Sequence, residues 1–272
     1  MLEQQFIDFA NYLADEASKI SKKYYRLPNG ETSKEDNSPV TKADQEIEAT
    51  IRNLIIKKFP NHGIIGEEYG DHQPQSDYLW IIDPIDGTSS FITGRPIFGN
   101  LISLSYKNKV IIGIMNQPIT NERWIGIDNV GTFFNEKKIT TRNCQKIEEA
   151  VMCSSSPFFF TDFDKIIFEE LSKYTKYQKI GGVIYGGDCY SYACLASGFV
   201  DIIIEPQLKI YDFASHIPII KNAGGIVTDW QGNELELKSN TKLLAKLLAC
   251  SNIKLHQEVL KIINQISHIY LK

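Results

Sequence analysis

The sequence predicts an α/β protein whose first half is α+β, and three patterns predict it. Apolar residues at three- and four-residue steps open the chain. Short apolar runs divided by tight turns fill the next stretch. From about Glu149 onward, strand and helix candidates alternate. The chain has 272 residues, 43% hydrophobic and 23% charged, which is ordinary globular composition with ample material for one large domain or two closely joined ones. The change of pattern divides residues 1–148 (α+β) from residues 149–272 (α/β), with no flexible linker between them.

Leu2, Phe6, Phe9, Leu13, Ala17, Ile20 and Tyr24 form one apolar face of a helix. Pro28-Asn29-Gly30 is turn chemistry. A second helix follows from Ala43 to Phe59, with Thr41 as its N-cap and Asp44 in its first turn. The runs Ile64-Ile65, Leu79 to Ile82, Phe98 to Ser105, Val110 to Met115 and Arg123 to Ile127 predict strands, several antiparallel because their connections are short; Lys107-Asn108-Lys109 is a tight hairpin. In the second half, Val151 to Ser154, Tyr177 to Ile180, Val200 to Glu205 and Gly225 to Thr228 predict strands. Helices are expected near Asp162 to Tyr174, Asp188 to Ser197, Tyr211 to Ala223 and Asn252 to Ile269.

Several function classes drop out at this level. A net charge of −4 argues against a nucleic-acid surface, which needs a basic face. No run approaches the roughly eighteen apolar residues of a membrane span. Met1 to Phe6 has an early acid and no apolar run, so no signal peptide is expected. Five cysteines (Cys144, Cys153, Cys189, Cys194, Cys250), odd in number and without a CxxC pair, predict free thiols in a reducing compartment. The expected setting is cytosolic.

The most informative segment is Trp80-Ile81-Ile82-Asp83-Pro84-Ile85-Asp86-Gly87-Thr88. An apolar strand runs into two aspartates divided by Pro-Ile. Pro84 fixes its own φ and Gly87 permits a tight turn, so the strand is expected to stop abruptly, with Asp83 and Asp86 on a rigid bend. A helix beginning at Thr88 would turn the Gly87 and Thr88 N–H groups toward an anion. Glu67 and Glu68 close another short strand, and Asp44 and Asp212 each open an amphipathic helix. Each of these acids also has an ordinary structural role: a turn, a solvated pair, a carboxylate at a helix start. Brought together, they would need a counter-charge, because two like charges about 4 Å apart repel by roughly 4 kcal/mol at an effective dielectric near 20. An all-oxygen donor set suits Mg²⁺ better than zinc, and the five histidines are scattered.

These residues resemble the inositol monophosphatase superfamily of Mg²⁺-dependent, lithium-sensitive phosphatases. The resemblance spans nearly the whole chain, through Trp80 to Phe91, through Tyr211-Asp212-Phe213-Ala214 closing on Ala223-Gly224-Gly225, and through Gly66-Glu67-Glu68. Within it, Ser38 to Asp44, Gly94-Arg95-Pro96, Gln117-Pro118 before Glu122-Arg123-Trp124, Gly186 to Tyr190 and Asp229 to Gly232 look most like the monofunctional histidinol-phosphatase branch. That branch often carries Arg-Ala after Asp-Gly-Thr, where this chain has Ser89-Ser90.

The resemblance implies a layered αβαβα sandwich of the inositol monophosphatase and fructose-1,6-bisphosphatase type. Residues 1–148 would carry most metal ligands, and residues 149–272 would add Asp212 and the substrate pocket. It implies Glu67, Asp83, Asp86, Asp212 and the Ile85 carbonyl as ligands for two or three Mg²⁺ ions, with Asp83 bridging two. Thr88, supported by Asp44, would activate the attacking water, with Glu68 near that water or a weaker third metal. The Gly87 and Thr88 amides would hold the phosphate, and Asp188 would face the organic part of the substrate. The implied substrate is a small phosphate ester: histidinol phosphate first, an inositol or sugar-like phosphate as the alternative. A regulatory protein of the same fold acting on RNA polymerase or RNA is the reading from another class, disfavoured by the acidic charge. A homodimer is implied by the resemblance alone.

Overall fold

The computed structural model describes residues 3–27, 32–33, 39–177, 179, 182–237 and 244–270. The first layer is a helix pair. α1 (Gln4–Tyr24) buries Phe6, Phe9, Leu13 and Ala17 as the spacing requires, with Lys22 and Lys23 at the negative end of its dipole. A two-stranded ribbon, β1 (Thr32–Ser33) with β2 (Pro39–Val40), precedes α2 (Lys42–Lys58). Thr41 caps α2 as expected: its hydroxyl accepts from Ala43 N (3.1 Å), while Asp44 Oδ2 accepts from Thr41 N (2.8 Å), a capping box. The Pro28-Asn29-Gly30 turn lies outside the described residues.

Both helices pack on one face of a sheet that has eight strands among the described residues. These are β3 (Gly63–Gly66), β4 (Gly70–His72), β5 (Tyr78–Asp86), β6 (Gly99–Tyr106), β7 (Lys109–Gln117), β8 (Glu122–Ile127), β9 (Gly131–Phe134) and β10 (Lys137–Ile139). Their order is β10-β9-β8-β7-β6-β5-β3-β4, antiparallel throughout except for β3 beside β5. Lys107 and Asn108 both have positive φ (48° and 63°), the primed turn that fits the twist of a two-residue hairpin.

A second sheet has five strands among the described residues, ordered β12-β11-β13-β15-β14. They are β11 (Met152–Ser154), β12 (Ile184–Tyr185), β13 (Ile202–Leu208), β14 (Ile226–Asp229) and β15 (Ala245–Cys250). α3 (Thr88–Ile92) follows β5 and buries Phe91 in the core beneath α1 and α2; between the sheets lie α5 (Asp188–Ala196), α6 (Ile210–Phe213) and α7 (His216–Lys221). α4 (Asp162–Ser172) and α8 (Ile253–Tyr270) cover the outer face of the second sheet. The result is the layered αβαβα sandwich. All five cysteines are free, and no helix among the described residues is long and apolar enough to cross a membrane.

Four expectations are corrected. β5 does not stop at Asp83. It continues to Asp86 because the β5–β6 register slips by one residue there, Asp83 facing Leu101 and Asp86 facing Gly99. A bulge is where a strand tolerates proline, which brings no N–H to the ladder. The helix expected from Tyr211 to Ala223 is two helices, α6 and α7. Pro218 lacks an N–H and its ring crowds the carbonyl four residues back, at Ala214, where the break falls. Of the strand expected at Tyr177 to Ile180, Gln178 and Ile180 lie outside the described residues; Tyr177 is in a turn and Lys179 is helical, and the next described strand is β12. Finally, β15 was not anticipated, because Ala-Lys-Leu-Leu-Ala-Cys is rich in helix formers; pairing with β13 and β14 and the burial of Leu247 to Cys250 override that preference.

The middle layer is held close. A β-carbon at Gly126 of β8 would enter the backbone of Pro218 and Ile219 in α7. Gly126→Ala should therefore overpack this contact at a cost of about 1–3 kcal/mol. For a chain of this size that lowers the thermal midpoint by roughly 2–4 °C per kcal/mol. Scanning calorimetry checks it, and an unchanged midpoint would show that α7 is free to move away.

Candidate active site

The bulge in β5 and the helix that follows it set the geometry. Ile85 N donates to Asp83 Oδ1 (3.1 Å), fixing that carboxylate against its own backbone. Gly87 adopts φ 80°, a left-handed turn that opens α3, and a β-carbon there would lie 2.8 Å from Asp188 Oδ2. Thr88 Oγ1 donates to Ile85 O (3.1 Å). Asp86 Oδ1 accepts from Cys189 N (2.9 Å), so α5 is tied to the end of β5. Asp212 sits in α6, its Oδ2 accepting from Lys209 N (2.7 Å).

Oxygens of Asp83, Asp86 and Asp212 all lie within 4.8 Å of one another. Three aspartates from opposite halves of the chain therefore meet, as the sequence suggested. Burial, and then the charges of Glu67, Asp86, Asp212 and Asp44, push the Asp83 carboxyl well above the ordinary carboxylate range. Burial, Asp188 and Asp212 do the same to Asp86, against the bond from Cys189. Glu67 thus faces the cluster, and it lines one cleft of about 290 Å³ with Gly87, Thr88 and Asp188. Such a group of acids is stable in ionised form only with cations among them. Oxygen-only donors at this spacing fit Mg²⁺.

Asp44 is fully buried, its Oδ2 accepting from the Thr41 backbone and hydroxyl (2.8 and 2.5 Å), and its charge is felt at Asp83. Glu68 is placed by a residue that sequence reasoning missed. Glu48, one turn after Asp44 and fully buried, accepts from Glu68 N (2.7 Å) and Tyr69 N (3.1 Å) and pairs with Arg52. A side chain at Gly66 would collide with the Glu48 carboxylate, so glycine there lets α2 grip the Glu67-Glu68 loop.

Asp188 borders the cleft together with Ser155, Phe159 and Arg95. Burial raises its carboxyl, against Ser155 and the Arg95 charge. Glu205, also missed, lies nearby. It accepts from Ser155 N (2.5 Å), and burial pushes its carboxyl up to about 8. A signal for it was present: Ile203-Ile204-Glu205-Pro206 repeats the apolar-run, acid, proline pattern of Ile81-Ile82-Asp83-Pro84.

An oxygen-only acidic cluster at strand ends between two sheets is the equipment of a metal-dependent hydrolase. The chain belongs to the inositol monophosphatase family, whose model matches residues 2–268. It is a phosphoric monoester hydrolase of that family, whose members are in general metal-dependent, usually on Mg²⁺. The bifunctional phosphatase IMPL2 (chloroplastic) of Arabidopsis thaliana is 41% identical over 263 residues, covering 94% of this chain and 74% of that protein. A histidinol-phosphatase of Chlorobaculum parvum is 32% identical, over 84% of this chain and 87% of its own. The solved structure of an inositol monophosphatase from Zymomonas mobilis matches with a TM-score of 0.86 at 36% identity, over 97% of this chain and 99% of that one.

The raised carboxyls make the metal-free site pH-sensitive. A folded-state pKa above the unfolded value contributes stability at low pH that is lost as pH rises through the folded value. Asp83→Asn removes one such group. In chelator, the variant should melt above the wild type by a margin that grows from pH 5 to pH 8, and excess Mg²⁺ should reverse the order. Thermal melts across that range test it; a margin independent of pH would deny the crowding of charge.

Proposed function

We propose that the chain hydrolyses histidinol phosphate, using Mg²⁺ and a water activated by Thr88 and Asp44. The observation that carries the choice of substrate is a further acid on the cleft, Asp188, beside Gly87 and next to the metal carboxylate Asp86, with Glu205 buried behind it on Ser155. A carboxylate facing the cleft beside a phosphate-binding turn suits an organic part that is cationic, an amine or imidazolium. The histidinol-phosphatase relative supports the same reading. Carboxyls also accept bonds from sugar-like hydroxyls, which keeps an inositol phosphate as the second reading.

Phosphate monoester hydrolysis needs accelerations up to about 10²¹-fold, of which general base catalysis supplies only about 10²–10⁴. Two Mg²⁺ ions held by Glu67, Asp83, the Ile85 carbonyl, Asp86 and Asp212, with a weaker third near Glu68, would offset phosphoryl charge and make water more acidic. Asp83, at which the charges of Glu67, Asp86, Asp212 and Asp44 are all felt, would be a ligand shared by the ions. The N–H groups of Gly87 and Thr88, among those a helix start leaves without partners inside the helix, hold the phosphate. Thr88 turns its hydroxyl from Ile85 O toward Asp44, passes its own proton to the Asp44 carboxylate and takes one from the attacking water, so that Asp44 ends protonated and neutral and the water is left as hydroxide. Asp188 and Glu205 orient the leaving group. Lithium inhibition, a homodimer and a cytosolic setting come with this reading.

A substrate panel of histidinol phosphate, inositol 1-phosphate and a nucleotide 3′-phosphate with Mg²⁺ decides the substrate. Histidinol phosphate should have the highest kcat/KM; preference for inositol 1-phosphate would replace it with the second reading. Thr88→Ala should lower kcat by about 10²–10⁴-fold with little change in KM. An unchanged kcat would assign the water to another group.

A further inference from the structure

The bulge in β5 leaves Pro84 and Ile85 together facing a single residue of β6, Asn100, which is fully buried. Pro84 has no N–H, so the backbone cannot complete the ladder there. Asn100 completes it with its side chain, Nδ2 donating to Pro84 O at 2.6 Å. Pro84 C=O and Ile85 N–H are the two ends of one planar peptide group. Its other end donates to Asp83 Oδ1. Asn100 and the Asp83 carboxylate therefore grip opposite sides of the same peptide.

The Asn100 amide is itself oriented, through a one-way chain of donors. Its Nδ2 also donates to Ser21 Oγ (3.0 Å), and its Oδ1 accepts from Asn116 Nδ2 (3.0 Å). Asn116 Nδ2 donates further to Ser18 Oγ (2.9 Å), and Asn116 Oδ1 accepts from Arg123 Nε (2.9 Å). Ser18 and Ser21 spend their own hydrogens on Ala14 O and Ala17 O, so both offer only lone pairs to the asparagines. A guanidinium can only donate. Arg123 thus forces the Asn116 oxygen toward itself and the Asn116 amide toward Asn100. Asn100 in turn must point its NH₂ at Pro84. Flipping either amide would set two donors against each other. Arg123 is anchored at the far end by Asp15 (2.6 Å) and Asn11 (3.1 Å), in a groove between α1 and β8.

We propose that Asn100 is a positioning residue for the metal site, locking the Pro84–Ile85 peptide so that Asp83 presents its carboxylate to the cation, and that Arg123 sets its orientation from the protein surface. The inference rests on the metal ligands proposed above. Replacing partners that hold metal ligands in place typically costs about 10–100-fold in metal affinity.

The test is Mn²⁺ binding, followed by electron paramagnetic resonance on the full-length wild type, Asn100→Leu and Arg123→Met, with circular dichroism and melts to establish folding. Folded Asn100→Leu should bind Mn²⁺ about 10–100-fold more weakly. Arg123→Met, remote from the bulge, should show a smaller loss in the same direction. A purely packing role would lower the melting temperature and leave the affinity of the folded protein unmoved. Folded Asn100→Leu with wild-type affinity overturns the inference. If that variant does not fold, Arg123→Met decides, and wild-type affinity there overturns it instead. A wild type that binds no Mn²⁺ overturns the metal-site reading itself, and the inference with it.

Discussion

Like charges held closer than they would choose are what the rest of this molecule is built around. Asp83, Asp86 and Asp212 bring oxygens within 4.8 Å, with Glu67 and Asp44 felt at Asp83. No single element could impose that. Asp83 and Asp86 are fixed by a bulge, Glu67 by a loop that α2 holds through Glu48, and Asp212 by a short helix hung from the second sheet. Asp83, Asp86, Asp212 and Asp44 are each restrained by a hydrogen bond from backbone nearby, so repulsion is not relieved by swinging these side chains away. Only protons or cations can offset it.

Much of this was legible in the sequence because the local signals were strong and agreed. Thr41 before an apolar-periodic stretch, with Asp44 three residues on, is a capping box, and it folds as one. Lys107-Asn108 is a hairpin and both residues take positive φ. The Asp-Pro-Ile-Asp-Gly-Thr run marked the site, though as a strand end rather than a bulge, since the residue of the partner strand that faces the bulge, Asn100, is sixteen residues on from Pro84. What stayed hidden was tertiary. Ala245 to Cys250 is a strand because β13 and β14 pair with it on either side and Leu247 to Cys250 are buried. Glu48 and Asn100 look like ordinary helix and strand residues until the loops they hold come into view.

The two halves of the chain solve the same local problem in the same way. Each sheet sends an apolar strand toward the cleft and ends its buried run with an acid and a proline, Asp83-Pro84 in one and Glu205-Pro206 in the other. Both strands also slip register at that point, between Asp83 and Asp86 and between Glu205 and Leu208. The proline brings no ladder donor to the bulge, where the sheet needs none, and the acid stands just before it. In the proposed function one acid serves the metals and the other lies toward the organic end of the substrate.

The tight seat of α7 on Gly126 bears on ion choice. Asp212 lies four residues before His216, where α7 begins, and α7 has no clearance above β8, so packing restrains the width between Asp212 and the β5 acids. Mg²⁺ takes ligands at about 2.0–2.1 Å, Ca²⁺ at about 2.3–2.6 Å with more of them. In the proposed site, a gauge that resists widening would favour the small ion by stiffness as well as by ligand chemistry. Helix-on-sheet packing some distance from the ligands would then share in the choice among cations that all take carboxylate oxygen.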